Sequence, residues 1–201
     1  MKYVGIIDYN MGNLHSVYKA VEKVGGYPLI INTPKDLDKV SALVLPGVGS
    51  FDLAMQQLQD LDFVQPIKAW INNGSPFLGI CLGLQLLFQA SEEGTRVGLQ
   101  IFEGHVIKIN SNLVANIPNM GWNQLNSNVS YLNNKWVFFV HSYHVVVYSS
   151  LIESSYIKYG KLLILSSINY KNISGVQFHP EKSGYTGLLI LKQFLSNHNC
   201  L

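Results

Sequence analysis

The feature that most restricts this chain is the alternation of short apolar runs with helical patterns along its first half. Tyr3 to Asp8 is an apolar run that ends in a polar turn, Asp8-Tyr9-Asn10-Met11-Gly12-Asn13. Leu14, Val17, Val21 and Val24 then recur at helical spacing until Gly25-Gly26 stops them. Leu29 to Ile31, Ala42 to Leu45 and Phe77 to Ile80 read as buried strands. Leu53 to Leu58, Val64 to Ile71 and Leu82 to Phe88 read as helices. This order predicts a parallel, doubly wound sheet with right-handed crossovers. The second half changes character. Val106 to Ile109, Trp136 to Val140, Val145 to Tyr148, Leu162 to Ser166 and Gly175 to Phe178 read as β-branched and aromatic strands, and no long helix follows until Thr186 to Leu195. The expectation is an α/β fold, an open and mostly parallel doubly wound sheet with flanking helices, plus a smaller antiparallel sheet in the second half. No repeat or long linker divides the 201 residues, so 1–201 reads as a single domain.

Composition narrows the function classes. Apolar residues make up 48% of the chain and charged residues 13%, about half the ~25% common in soluble domains. That excludes disorder, and so weakly charged a surface suggests that a partner covers part of it. A net charge of +2, from 14 basic and 12 acidic residues, excludes nucleic acid or an anionic membrane as the main partner. Cys81 and Cys200 are too few for a disulfide framework and read as thiols in a reducing compartment, a cytoplasm or a plastid stroma. No run reaches the ~18 apolar residues of a membrane span, and Asp8 comes too early for a signal peptide.

Gly79-Ile80-Cys81-Leu82-Gly83 follows an apolar strand and opens an apolar helix. G-x-C-x-G in this setting is the mechanical device of a nucleophile elbow: a strained central residue projects its side chain at the carboxyl end of the sheet. A helix N-terminus behind the sulfur favours thiolate, and the Leu82 N–H is a candidate oxyanion donor. Cys200 has no such context and reads as an inert thiol.

A cysteine nucleophile needs a base, and the base needs an orienting group. In Gly175-Val176-Gln177-Phe178-His179-Pro180-Glu181, His179 stands just past a strand end and Glu181 is close enough in sequence to turn back to its imidazole. His141 and His144 compete for the same role without an obvious carboxylate neighbour. His15, His105 and His198 read as structural or solvated. Histidines and cysteines do not repeat at metal-ligand spacing, so no metal is expected. With neither GxGxxG nor GxxxxGK[ST], no cofactor is expected either.

Gly79-Ile80-Cys81-Leu82-Gly83-Leu84-Gln85 and Phe178-His179-Pro180-Glu181 resemble the class I (triad) glutamine amidotransferases. Asp8-Tyr9-Asn10-Met11-Gly12-Asn13, Pro46-Gly47-Val48-Gly49-Ser50, Pro118-Asn119-Met120-Gly121-Trp122-Asn123 and Val140-His141-Ser142-Tyr143 are similar, within that family, to the glutaminase subunits of imidazole glycerol phosphate synthase. The resemblance implies that Cys81 attacks the glutamine amide, His179 moves the proton and Glu181 orients it, through a glutamyl thioester. It implies glutamine binding by Gln85, Glu93, Ser142 and Tyr143, and an oxyanion site formed by Leu82 with Gly47, Val48 and Gly49. It implies that the glycine turn must rotate an N–H toward the oxyanion, so that the resting site is nearly idle. It further implies a heterodimer with a cyclase subunit, a (β/α)₈ barrel that receives the ammonia and meets Met120, Trp122 and Asn123. A barrel needs about 250 residues and must be a separate partner. Two positions depart from the family: Asn119 stands where His is frequent, which leaves that interface contact open, and Asn10 stands where Gly is frequent.

Amidotransferases serving anthranilate, guanylate or pyridoxal phosphate synthesis would keep the same triad, but Met120-Gly121-Trp122-Asn123 argues against them. A non-catalytic module would normally lose one of Cys81, His179 and Glu181. A cysteine peptidase would have no need of Gln85 or of a partner.

Overall fold

The computed structural model describes residues 2–201. The first half builds the parallel core. Strands β1 (Tyr3–Ile7), β2 (Tyr27–Ile31), β3 (Val40–Leu45) and β4 (Phe77–Ile80) lie in the order β2-β1-β3-β4, each parallel to its neighbour. Helices α1 (Leu14–Lys23), α2 (Phe51–Asp60) and α3 (Val64–Asn72) occupy the crossovers. Strands covered on both faces must be apolar throughout, and β3 shows why. Leu43 and Leu45 pack with Phe51, Met55, Leu58 and Ile67 of α2 and α3, while Ala42 and Val44 face Val17 and Val21 of α1 and Leu191 and Phe194 of the last helix, α5 (Gly184–Asn197). Two apolar clusters therefore sandwich one sheet.

The remaining strands are β5 (Ala90–Ser91), β6 (Gly104–Lys108), β7 (Asn119–Asn126), β8 (Trp136–His141), β9 (Tyr143–Val147), β10 (Glu153–Tyr159), β11 (Leu162–Tyr170) and β12 (Ile173–Val176). β12 pairs parallel with β4 on one side and antiparallel with β11 on the other. Through it the sheet continues antiparallel as β11-β10-β7-β8, to nine strands in all. A small second sheet, β5-β6-β9, also forms, with β6 and β9 antiparallel. The second half thus splits between an extension of the main sheet and the small one. Strand composition cannot reveal that division, because β12 presents the same residues to a neighbour of either direction.

β7 and β10 carry little strand signal in sequence. Asn119, Gly121, Asn123 and Gln124 in one, and Glu153, Ser154, Ser155 and Lys158 in the other, have low β-propensity, and pairing with neighbours holds them extended. The helix expected from Leu82 to Phe88 is only α4 (Leu82–Gln85). Its continuation is captured: the carbonyls of Leu86 and Leu87 accept from Leu99 N and Ile101 N, each at 2.8 Å, so the following loop takes the bonds a helix would have used. Among the described residues no helix is long and apolar enough to cross a membrane.

Candidate active site

Sheet register brings the candidate nucleophile and base together. In the parallel pair β4–β12, Ile80 stands opposite Val176, and Cys81 N donates to Val176 O at 2.7 Å. The residues just beyond the two carboxyl ends, Cys81 on one side and Gln177 to His179 on the other, must then share one space. Cys81 has φ 55° and ψ −107°, the strained geometry expected of the elbow. The flanking glycines are sterically required. A Cβ on Gly83 would collide with the Leu45 carbonyl, and one on Gly79 would stand 2.6 Å from the Gly83 oxygen. They relieve contacts between neighbouring backbones rather than with the cysteine itself.

His179 is fixed at both ends. Its backbone N donates to Phe138 O at 3.0 Å and its carbonyl accepts from Ser183 Oγ at 2.7 Å. Its Nδ1 lies 2.8 Å from Glu181 Oε1, with both side chains 2% exposed. That bond leaves Nε2, buried and without a hydrogen-bond partner among the described residues, as the free nitrogen beside Cys81. Burial opposes the imidazolium, yet the Cys81 sulfur and the Glu181 carboxylate outweigh it and hold His179 up at about 10. The competing histidines are excluded. His141 uses both nitrogens, Nδ1 on Tyr143 O at 2.8 Å and Nε2 on Asn119 Nδ2 at 3.0 Å, and burial pushes it down to about 4. His144 is lowered as well, chiefly by burial. Cys200 is buried and remote in sequence from these groups, as its inert reading requires.

A cavity of about 380 Å³ opens on the sulfur. It is lined by Cys81 and His179 together with Val48, Gly49, Leu82, Gln85, Glu93, His141, Ser142 and Tyr143. Every residue expected to hold glutamine therefore borders one space. Glu93 also accepts from Phe51 N at 2.7 Å through Oε2, tying the cavity wall to the start of α2. Ser142 is the single residue between β8 of the large sheet and β9 of the small one. A cavity of about 430 Å³ lies at the amino ends of β4 and β12, between Ile71, Phe102, Tyr170 and Lys171. Neither cysteine nor histidine lines it, so size does not make it the reactive site.

The chain matches the family model for glutamine amidotransferase class-I over residues 5–197. It belongs to the class-I glutamine amidotransferases. Among curated members of this family, imidazole glycerol phosphate synthase subunit hisH of Cyanidium caldarium is 49% identical, over 98% of this chain and 100% of that protein. Subunit HisH of Nostoc punctiforme is 45% identical over 98% of this chain and 96% of its own length. A solved glutamine amidotransferase with only 17% identity superposes with a TM-score of 0.79 over 98% of both chains, so the amidotransferase fold persists after most of the sequence has changed.

Two of the expected oxyanion donors are already engaged in this amidotransferase. Leu82 N points at Gly47 O, 3.4 Å away, and Val48 N donates to Met11 O at 2.7 Å. The Gly47 carbonyl and the Val48 N–H belong to one peptide plane, so that plane carries both bonds. Tyr9 Oη donates to the Pro46 carbonyl just before it at 2.8 Å, and burial, helped by Cys81, raises the Tyr9 phenol far above its ordinary value. Asn10 takes φ 65°, the left-handed turn that a glycine would otherwise supply. Of the residues assigned to a partner, Met120 and Trp122 are 69% and 50% exposed on β7. Asn123 turns its amide inward to Asn119 Oδ1 at 3.0 Å. Asn119 is 1% exposed and belongs to the interior, not to an interface. The residue that sequence reasoning passed over is Gln177. Its signal is its spacing: in an extended segment it stands two before His179 and shares its face.

Proposed function

We propose that this chain is the glutaminase subunit of imidazole glycerol phosphate synthase. It hydrolyses glutamine and passes ammonia to a cyclase partner, which forms imidazole glycerol phosphate and aminoimidazole carboxamide ribotide in histidine biosynthesis. The observation that carries this reading is the strained Cys81 sharing one cavity with a His179 already paired to Glu181. Names borne by relatives at 45–49% identity point to the same complex.

His179 Nε2 takes the Cys81 proton, and the thiolate attacks the glutamine Cδ. The imidazolium then returns its proton to the departing ammonia, leaving a glutamyl thioester. Water, deprotonated by the same Nε2, releases glutamate and regenerates the thiol. Glu181 keeps the second proton on Nδ1 throughout. The N–H groups of Gln85 are engaged by Tyr143 O and Gln177 Oε1 at 3.0 Å each, so it offers the substrate its Oε1. That acceptor, with Glu93, suits the α-ammonium of glutamine. The backbone of Ser142 and Tyr143 suits its α-carboxylate.

The resting oxyanion site explains the need for a partner. Turning the Gly47–Val48 peptide would release the Leu82 N–H and bring the Val48 N–H round to the same place. Breaking two hydrogen bonds at about 0.5–1.5 kcal/mol each keeps that turned form scarce. A missing oxyanion donor lowers rate by roughly 10²–10³. Val48, Met120, Trp122 and Trp136 are exposed apolar side chains, and Val48 borders the cavity itself. A (β/α)₈ cyclase seated over them would complete a heterodimer and shield the ammonia from water. The domain acts as one unit in a reducing compartment, a prokaryotic cytoplasm or a plastid stroma.

The test is glutamate release with and without the cyclase and its nucleotide ligand. Strong stimulation by the complex is expected, and equal full activity in both would overturn the coupling. Cys81→Ala should abolish glutamine-dependent synthesis and leave ammonia-dependent synthesis intact.

A further inference from the structure

Gln177 is fully buried and does not line the cavity on the sulfur. Its carboxamide joins two polar neighbours: Nε2 donates to Cys81 Sγ at 3.7 Å, and Oε1 accepts from Gln85 Nε2 at 3.0 Å. The orientation of this amide is forced from the far end of a chain of bonds. The Tyr143 carbonyl can only accept, and it takes Gln85 Nε2 at 3.0 Å and His141 Nδ1 at 2.8 Å. Gln85 must therefore present its NH₂ group there. The same nitrogen faces Gln177, which has to answer with its oxygen, and the Gln177 NH₂ is left for sulfur. On the other branch His141 carries its proton on Nδ1. Its bare Nε2 accepts from Asn119 Nδ2 at 3.0 Å, and Asn119 Oδ1 accepts from Asn123 Nδ2 at 3.0 Å. One carbonyl thus fixes five side chains, from β7 to the neighbour of the nucleophile. The Gln177 backbone is itself tied by N–H to Ser166 O at 2.8 Å.

We propose that Gln177 is a positioning residue for the nucleophile: its N–H, locked in direction by Gln85, holds the Cys81 sulfur in place and stabilises its thiolate. This rests on Cys81 being the glutaminase nucleophile. His179 supplies the charge opposite the thiolate, and Gln177 supplies an uncharged donor that survives every protonation change in the cycle. On the buried side of the sulfur, away from the cavity, such a donor replaces the solvent that a thiolate would otherwise require. Other titratable groups near the sulfur are His179 with Glu181 behind it, Tyr9 from the loop after β1, and His141 and Glu93 on the cavity wall. None of them is replaced in Gln177→Met, whereas Gln177→Glu adds a carboxyl of its own beside the sulfur.

The experiment uses the complex with the cyclase and two variants. Gln177→Met keeps length and removes the donor. Gln177→Glu keeps an acceptor for Gln85 and turns an oxygen toward the sulfur. Each is followed by glutamate release and by the pH dependence of inactivation with iodoacetamide. For both variants the inactivation midpoint should move to higher pH by about 1 unit, as expected for one hydrogen bond to a charged acceptor. At neutral pH kcat should fall about tenfold, with KM for glutamine within about twofold in Gln177→Glu, which leaves Gln85 its acceptor, and the loss should shrink as pH rises. A loss of kcat equal at all pH values with an unmoved midpoint, or no loss at all, would overturn the proposal. Should Gln177→Met fail to fold, Gln177→Leu, read by the same two assays, takes its place. Glutaminase activity surviving in Cys81→Ala would refute the nucleophile assignment itself, a failure separate from that of Gln177.

Discussion

Replacing Glu181 with Gln removes a charge while keeping bulk, and the structure sets the size of the effect. The carboxylate is 2% exposed, its Oε1 lies 2.8 Å from His179 Nδ1 and its Oε2 has no hydrogen-bond partner among the described residues. Its charge therefore acts on the imidazole and on little else. A hydrogen bond to a charged group contributes about 1.5–3 kcal/mol, which at about 1.4 kcal/mol per pH unit corresponds to 1–2 units in the hold of His179 on its second proton. Relative to the neutral pair, the thiolate–imidazolium pair becomes about 10–100-fold scarcer at neutral pH. Glu181 does not border the glutamine cavity, so the loss should fall on kcat by about 10–100-fold and leave KM within about twofold. The assay is glutamate release by the complex across the neutral range. A kcat within about threefold of the parent, or a loss carried entirely by KM, would refute the assignment of Glu181 as the orienting group.

Two stability effects follow from the same histidines. His141, held at about 4 against an ordinary 6.5, takes up a proton on unfolding between those values. Stability complete above 6.5 should therefore fall by up to about 3 kcal/mol as the pH drops toward 4, and thermal unfolding of a His141→Gln variant should lack that slope. His179, held at about 10, contributes stability complete below 6.5 and lost as pH rises through about 10, so Tm should decline on the alkaline side. Gly83→Ala drives a Cβ into the Leu45 carbonyl, with backbone on both sides. It should cost about 3 kcal/mol or more, read from denaturant midpoints. Trp122→Ala, which removes a half-exposed aromatic anchor packed edge-on against Phe138, should weaken cyclase binding by about 30-fold. Calorimetric titration would measure that change.

The parallel core was legible because burial on both faces forces continuous apolar runs, as in Ala42 to Leu45. The elbow was legible because Gly79 and Gly83 sit where no other residue fits. The strands β7 and β10 were not, since Asn119, Gly121, Glu153 and Ser154 are extended by their neighbours rather than by their own preference. The pairing of Cys81 with His179 depends on the register of β4 against β12, which spacing along the chain does not encode. The inward turn of Asn119 and Asn123, and the bond from Gln177 to sulfur, are tertiary facts about amides. Sequence shows that an amide is present and leaves open which way it points.

The planar unit between Gly47 and Val48 has a consequence for control. An amide plane rotates as a whole, so its two tethers, to Leu82 and to Met11, must let go together. No stable half-released position exists in which one donor is supplied and the other withheld. With this plane as the proposed oxyanion switch, activation would be digital for each molecule: a weaker stimulus would yield fewer working copies at a given instant, each running at full speed.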